Sequence, residues 1–127
     1  MKKTFMVAAL AATSLVATSA IAHASDDREV IRTGSCSARS DWKLKVDRED
    51  RGLEVEFEVD QNVNGDVWRV RIRQDGDTVF AGRRTTRGRS GSFEVERRVP
   101  NTAGNDVFRA RAVNTRTDEV CKGRATF

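Results

Sequence analysis

Hydrophobic residues recur at every second position over most of the chain that follows residue 41. Between Leu53 and Val59 they alternate with glutamates, and between Trp68 and Ile72 they alternate with arginines. A period of two is typical of a strand that buries one face, whereas an amphipathic helix repeats every 3.6 residues. The pattern predicts seven strands, with inward positions at Trp42, Leu44 and Val46; Leu53, Val55, Phe57 and Val59; Trp68, Val70 and Ile72; Val79 and Ala81; Phe93, Val95 and Val99; Phe108, Ala110 and Ala112; and Cys121, Gly123, Ala125 and Phe127.

Clusters of Gly, Asn, Asp and Thr separate these segments and favour an all-β fold. Short strands at this spacing are typical of a seven-stranded antiparallel β-sandwich of the Ig-like or fibronectin-like type. A small β-barrel is the alternative, since its strands alternate in the same way. Both tryptophans are in phase with apolar neighbours. We therefore expect Trp42 and Trp68 to pack in the core rather than to bind carbohydrate.

The outward charges predict one strand pairing. If strand 53–60 folds back on strand 67–74, the same register brings Val59 opposite Trp68 and three glutamates opposite three arginines. The predicted charge pairs are Glu58 with Arg69, Glu56 with Arg71, and Glu54 with Arg73. Opposite charges facing each other across strands stabilise a sheet modestly. This pairing would neutralise the arginines, so we expect a solvated sheet face and not a phosphate-binding strip.

Two further hairpins follow from turn residues. Asp75-Gly76 is a strong signal for a two-residue turn, which would place Ile72 opposite Val79 and Val70 opposite Ala81. The turn near residues 115–118 would place Ala112 opposite Cys121. The same register sets Phe108 opposite Ala125.

The first 24 residues have the composition of a secretory signal peptide. Lys2 and Lys3 follow the first methionine, an apolar run comes next, and small residues precede an expected cleavage between Ala24 and Ser25. The apolar run is too short and too interrupted by Ser and Thr for a membrane span. We therefore expect a secreted, extracellular protein without a membrane anchor, in which residues 25–35 form a flexible leader and residues 36–127 a single domain.

Cys36 and Cys121 are the two cysteines of the chain. Cysteines of exported proteins most often pair, so we predict a disulfide that closes nearly the whole domain. Closing so long a loop stabilises the fold by roughly 4 to 5 kcal/mol in the chain-entropy model. Free thiols or an intermolecular bridge are the alternatives.

The charge of the expected mature chain is modest, with 21 basic and 19 acidic residues. A net charge this small does not by itself imply an anionic partner. The best local candidate for anion binding is a glycine-containing loop with four arginines and no acidic residue among them, namely Arg83, Arg84, Arg87 and Arg89. It could bind an anionic extracellular polymer or a nucleic acid, although charge runs are commonly only solvated. No aromatic residue interleaves it, so base stacking is not expected.

The stretch from Asp60 to Asp66, DQNVNGD, resembles the first half of a calcium loop. A complete EF-hand loop needs a glutamate at its twelfth position and helices on both sides. Arg71 occupies that position, and the predicted flanks are strands. A weaker calcium site in the loop stays open, but a plain strand connection explains Asn, Asp and Gly equally well.

Catalytic side chains are scarce in the expected mature chain. The only histidine, His23, precedes the expected cleavage site, and the chain has no tyrosine. Paired cysteines would offer no thiolate, no base would activate a serine, and a zinc site would lack its usual ligands. We therefore predict no enzyme activity, no catalytic residues, no metal and no cofactor.

Four runs carry a resemblance to a known group: GSCSARSDWKLKV, LEVEFEVDQNVNGDVWRVRI, GSFEVERRV and VCKGRATF. Together they resemble small exported β-domain proteins of high-GC Gram-positive, actinobacterial-type bacteria. The resemblance implies export and a single β domain, and no functional residues, because the group has no established activity. The expected function is non-enzymatic: an extracellular or wall-associated binding or structural module, with a hydrolase or an enzyme inhibitor as weaker alternatives. We expect a monomer with an unknown partner.

Overall fold

Eight β-strands make up most of residues 28–127, the part of the chain that the computed structural model describes. The predicted signal peptide and its cleavage site lie outside these residues. Residues 28–127 contain no helix that is long and apolar enough to cross a membrane. The strands are β1 (Glu29–Ser35), β2 (Asp41–Glu49), β3 (Gly52–Asp60), β4 (Val67–Gln74), β5 (Asp77–Thr85), β6 (Ser92–Val99), β7 (Val107–Asn114) and β8 (Val120–Thr126).

The strands form two four-stranded antiparallel sheets. The first sheet has the order β1-β2-β3-β6, and the second sheet has the order β5-β4-β7-β8. Residues 28–127 thus form an all-β, sandwich-like structure. The two sheets do not close into one cylinder, so the alternative prediction of a barrel is wrong.

One strand more than predicted is present among residues 28–127, because part of the expected flexible leader is β1. It pairs with β2 along its whole length, from Glu29 opposite Asp47 to Ser35 opposite Asp41. Its positions facing the other sheet are Val30, Arg32 and Gly34, so an apolar alternation is lacking. This segment is a strand because its backbone groups pair with β2, and such pairing needs no apolar alternation.

The core lies between the inward faces of the two sheets. Trp68, Phe57 and Phe108 are its largest fully buried side chains, and Trp68 packs on Phe93 of the opposite sheet with ring centroids 5.9 Å apart. Burial of each such side chain stabilises the fold by roughly 1.5 to 3 kcal/mol. The prediction of a core position is confirmed for Trp68, whereas Trp42 is half-buried at the border of the core.

The predicted pairing of strand 53–60 with strand 67–74 is wrong, because β3 and β4 lie in different sheets. Residues 61–66 carry the chain from one sheet to the other instead of forming a hairpin. Glu58 lies opposite Lys43 of β2 and Glu94 of β6, and Arg71 lies opposite Arg111 of β7. The glutamates and the arginines therefore face solvent on opposite sides of the molecule.

The other two hairpins form where predicted, one with a shifted register. Asp75 and Gly76 make the turn between β4 and β5 with φ values of 49° and 89°. An irregularity between Ile72 and Arg73 then shifts the pairing by one residue, so Ile72 faces Phe80 rather than Val79. For the same reason Val70 faces Gly82 rather than Ala81.

The register of the last hairpin is confirmed. Ala112 lies opposite Cys121, and Phe108 lies opposite Ala125. Cys121 is fully buried and carries the disulfide to Cys36, with the sulfur atoms 2.03 Å apart. The predicted bridge is therefore present. Cys36 lies in the connection between β1 and β2, not at the start of a strand, so the bridge joins the first sheet to β8 of the second.

Hydrogen bonds next to the disulfide secure the same connection. The Ser37 amide donates to the Val120 carbonyl at 2.8 Å, and the Val120 amide donates to the Ser37 hydroxyl at 2.8 Å. The buried carboxylate of Glu119 accepts from the Ala38 amide and from both the amide and the hydroxyl of Ser40. A buried carboxylate needs such donors, so this loop and β8 form one unit.

Trp42 fits the border of the core because two glycines flank its ring. A Cβ added at Gly123 would lie 2.7 Å from one ring carbon of Trp42, and a Cβ at Gly34 would lie 2.7 Å from another. Both contacts are shorter than a van der Waals separation, so a larger residue at either position would displace the indole. The glycines therefore set how closely β1 and β8 approach Trp42.

We expect Gly123→Ala to destabilise the protein by about 1 to 3 kcal/mol, because the new methyl group overpacks against the indole. The midpoint of urea denaturation measures this loss. The double variant Trp42→Leu/Gly123→Ala is the control. Its loss should be smaller than the sum of the two single losses, since the smaller side chain leaves room for the methyl group. Strict additivity would contradict the proposed contact.

Candidate functional site

A continuous basic surface covers the outer side of the second sheet. The antiparallel register aligns three rows of residues across β5, β4, β7 and β8. In the central row Arg71 lies between Ala81 and Arg111, and Arg111 lies beside Lys122. We call this surface the basic face; it consists of Arg69, Arg71, Arg73, Arg83, Arg109, Arg111, Lys122 and Arg124.

The basic face carries no carboxylate at its outward positions; Asp77, at the start of β5, is exposed but lies opposite the buried Gln74. The remaining outward positions of its four strands are apolar residues and threonines, and all eight basic side chains are exposed. None of the eight forms an ion pair with another residue of the described part. They line a broad, open concavity of about 910 Å³. Like charges on neighbouring strands repel each other, so this surface attracts anions.

The outer side of the first sheet is acidic. We call it the acidic face; its carboxylates are Glu29, Asp41, Asp47, Glu49, Glu54, Glu56, Glu58, Asp60, Glu94 and Glu96. Three basic residues, Lys43, Lys45 and Arg98, share these outward positions. Lys45 lies 3.1 Å from Asp47, so part of the acidic charge at the β1 edge is compensated.

Four carboxylates lie close together where β3 pairs with β6, and one of them, Glu56, also forms an ion pair with Lys43 at 3.9 Å. Glu58 lies directly opposite Glu94, and Glu56 lies directly opposite Glu96. A hydrogen bond with Glu96, followed by burial and the charge of Glu56, raises the pKa of Glu94 to about 7. Burial also raises the pKa of Glu54. Glu94 therefore keeps its carboxyl proton to a higher pH than an ordinary glutamate does.

The same carboxylates are the residues that could hold a metal ion. Two groups have oxygens within 4.8 Å of one another: Glu54, Glu56 and Glu96, and Glu56, Glu58 and Glu94. Carboxylate oxygens are the ligands that Ca²⁺ and Mg²⁺ prefer. Sheet-surface carboxylates also lie this close without any ion, and nothing else at the cluster selects one.

The loop that resembles half of a calcium site has a different partner. The Arg116 guanidinium donates to both Asp66 oxygens, from Nε at 2.9 Å and from Nη2 at 2.8 Å. Asn114 and Gln61 donate to the same carboxylate at 2.9 and 2.6 Å. Arg116 thus takes the place that a cation would need beside Asp66. Because Arg116 follows Asp66 by 50 residues, no local sequence signal pointed to it.

The same network fixes the crossing between the sheets. Gln61 accepts a hydrogen bond from the Trp68 indole N–H at 3.0 Å while its amide donates to Asp66. Asn62 and Gly65 have positive φ values of 60° and 88°, which suits the expected Asn- and Gly-containing connection. The loop is therefore a structural connection whose buried carboxylate is fully hydrogen-bonded.

The four arginines predicted as an anion-binding loop do not share one surface. Arg83 belongs to the basic face, whereas Arg84 on the same strand points the other way and stacks over the Phe80 ring at 4.8 Å. Arg87 pairs with Ser92 beyond the strand, and Arg89 lies in the following turn. Most of the basic face comes instead from arginines in β4 and β7, which sequence reasoning had missed or assigned to charge pairs.

The comparisons with known proteins supply no relative. No family model, curated protein or solved structure matches this chain. The two charged faces are therefore the features from which a function has to be argued.

The Arg116 contact and the amide hydrogen bonds hold the pKa of Asp66 well below its usual range. A carboxylate with a depressed folded-state pKa stabilises the fold above its unfolded pKa of about 3.9, and this stabilisation is lost as pH falls below that value. In the wild type, we expect the urea concentration at the denaturation midpoint to fall between pH 5 and pH 2. The fall should correspond to the uptake of about one proton on unfolding. Arg116→Gln should lower the midpoint at pH 5 and flatten the acid drop. An unchanged acid drop would contradict the role of this pair.

The raised pKa of Glu94 makes stability depend on pH in the opposite direction to the lowered pKa of Asp66. The folded state keeps a proton that the unfolded state releases, so stability falls as pH rises from about 4.5 to about 7. Glu94→Gln should therefore raise the melting temperature at pH 8 and leave it nearly unchanged at pH 4. Asp50→Asn, an exposed change in the β2–β3 turn, is the control. Equal shifts at both pH values would show that the carboxylate cluster is not the cause.

Proposed function

We propose that this chain is a secreted, non-enzymatic module that binds an anionic polymer outside the cell through the basic face. The observation that carries the proposal is the absence of any carboxylate among the outward positions of β4, β5, β7 and β8. The class of partner is the one considered for the Arg83–Arg89 loop, but the binding surface is the sheet and not the loop.

The fold we propose is Ig-like or, more closely, fibronectin-like. Without β1, the strands divide into β2-β3-β6 and β5-β4-β7-β8. Two antiparallel sheets packed face to face, with the chain crossing between them after β3, are features of such sandwiches. β1 is then an additional edge strand on the first sheet.

The spacing of the basic face suits a polymer better than a small ion. Side chains on one face of a strand are about 6.8 Å apart along it, and neighbouring strands are about 4.8 Å apart. Eight cations on this grid meet repeated anionic groups at several points, and arginine binds phosphate, sulfate or carboxylate through two N–H groups. Binding would release counterions and would depend steeply on salt.

The outward positions of the second sheet carry no aromatic residue in the described part. Base stacking therefore has no platform, which favours a polymer read through its charges over a nucleic acid read through its bases. The expected signal peptide and the Cys36–Cys121 bridge support an extracellular location, where such polymers include wall components. The resemblance to exported actinobacterial-type proteins agrees with this location.

The central pair of the basic face provides the test, with inorganic polyphosphate of defined length as the probe. Arg71→Ser/Arg111→Ser should weaken binding at least about tenfold and reduce the dependence of log Kd on log salt by about two. Arg87→Ser/Arg89→Ser, which removes the same charge from the loop, should change the affinity little. Fluorescence anisotropy at several salt concentrations measures both quantities.

Two results would decide against the proposal. A larger loss from the loop pair than from the Arg71/Arg111 pair would return the site to the loop. Binding that does not weaken with salt, or no binding at low salt, would remove an anionic polymer as the ligand class.

A further inference from the structure

We infer that copies of this chain stack on one another, with the basic face of one copy against the acidic face of the next. This association goes beyond the proposed polymer binding, because its partner is a second copy of the chain. It depends on both outer surfaces of the sandwich and not on the basic face alone.

Charge complementarity identifies the partner. The outward positions of the second sheet carry eight basic residues and no carboxylate, whereas those of the first sheet carry ten carboxylates and three basic residues. The two sheets pack through their inward faces, so these surfaces point in opposite directions. Each copy therefore presents one surface that attracts the other surface of its neighbour.

The two surfaces also match in pitch. Each has four antiparallel strands, so charges repeat at about 6.8 Å along a strand and about 4.8 Å between strands on both. The densest part of the acidic face holds Glu56, Glu58, Glu94 and Glu96, and the centre of the basic face holds Arg71 and Arg111. Several arginine–carboxylate contacts can therefore form at once.

Each surface is internally repulsive until it meets its counterpart. Glu56 and Glu58 lie directly opposite Glu96 and Glu94, and Arg71 lies directly opposite Arg111. Like charges placed opposite each other destabilise a sheet. Stacking relieves the repulsion on both surfaces, which a contact between two identical surfaces would not do.

The size of the surfaces is typical of a weak association. Four strands of about eight residues cover roughly 27 by 19 Å, which is about 500 Å² on each partner. The total of about 1,000 Å² lies at the low end for specific interfaces. The contact is therefore weak and reversible, and it weakens further as salt screens exposed charges.

The geometry makes the assembly open-ended. A contact between two different surfaces is heterologous, and it produces rings or continuing stacks rather than closed symmetric dimers. Because the two charged faces lie on opposite sides of a flat sandwich, successive copies lie nearly in line. The expected products are therefore short stacks whose length increases with protein concentration.

Charge reversal on each surface tests the inference by sedimentation velocity at about 20 and about 500 mM NaCl. In the wild type, the mean mass should exceed that of a dimer at high protein concentration and low salt, and should fall to that of a monomer at high salt. Arg71→Glu/Arg111→Glu reduces the formal charge of the basic face from +8 to +4 and puts carboxylates at its centre, while its acidic face stays intact. Glu94→Lys/Glu96→Lys reduces the formal charge of the acidic face from −7 to −3 and puts lysines in its densest part, while its basic face stays intact. Each variant alone should stay monomeric, and an equal mixture of the two should associate again.

A second measurement needs no variant. A carbodiimide joins an amine to a carboxylate without a spacer, so in the wild type at low salt it should link Lys122 of one copy to an acidic-face carboxylate of another. Peptide mass spectrometry of the cross-linked dimer band identifies the linked residues. A dimer whose links all lie elsewhere would overturn the stacking geometry.

The inference fails if the wild type stays monomeric at low salt, if either reversed variant still associates alone, or if the mixture does not associate. Polyphosphate binding separates this outcome from failure of the proposed function. The Arg71→Glu/Arg111→Glu variant should lose polymer binding, and the Glu94→Lys/Glu96→Lys variant should keep it, whether or not copies stack.

Discussion

The carboxylate of Asp66 is the group on which the arrangement of the two sheets depends. It lies at the end of the crossing from β3 to the second sheet, directly before β4, and it accepts hydrogen bonds from Arg116, Asn114 and Gln61. These donors come from the β7–β8 hairpin and from the crossing segment itself. A buried carboxylate requires several donors to offset its lost hydration, so the crossing is held in one conformation.

The crossing also sorts the charges of the molecule. β3 carries glutamates at its outward positions and β4 carries arginines, and placing these strands in different sheets sends each set to its own side. Had they formed a hairpin, the surface would be neutralised in pairs. The observed fold keeps like charges together, and the raised pKa of Glu94 is a direct consequence. Such an arrangement suggests that each surface is completed by a partner.

Features set by neighbouring residues could be predicted from the sequence. The Asp75-Gly76 turn, the register of the β7–β8 hairpin and the alternation of core residues outside β5 depend on local patterns, and they form as expected. In β5 the shifted register puts Phe80 in the core and Ala81 on the outer side, so the inward position predicted for Ala81 is wrong. The cysteine pair followed from the redox compartment inferred for an exported chain.

Features set by distant residues could not be predicted in this way. The charges of strands 53–60 and 67–74 matched so well as a hairpin that the pattern favoured the wrong pairing. Complementary charge shows that two surfaces attract each other, but it does not show whether they belong to one sheet, to two sheets or to two molecules. β1 escaped prediction because Arg32 and Gly34 occupy its inward positions, and Arg116 because its partner lies 50 residues away.

The basic face has two candidate partners that exclude each other. A polymer on this surface removes the docking site for the acidic face of another copy, so a bound molecule can extend a stack only through its acidic face. A polymer segment carries closely spaced charges on a flexible backbone, whereas the acidic face is rigid and partly compensated by Lys43, Lys45 and Arg98. The polymer can therefore adapt to all three rows of the basic face, while a second copy meets only those rows that its own carboxylates match. By mass action, a polymer in excess would dissolve stacks into single bound molecules, each presenting its acidic face to solvent.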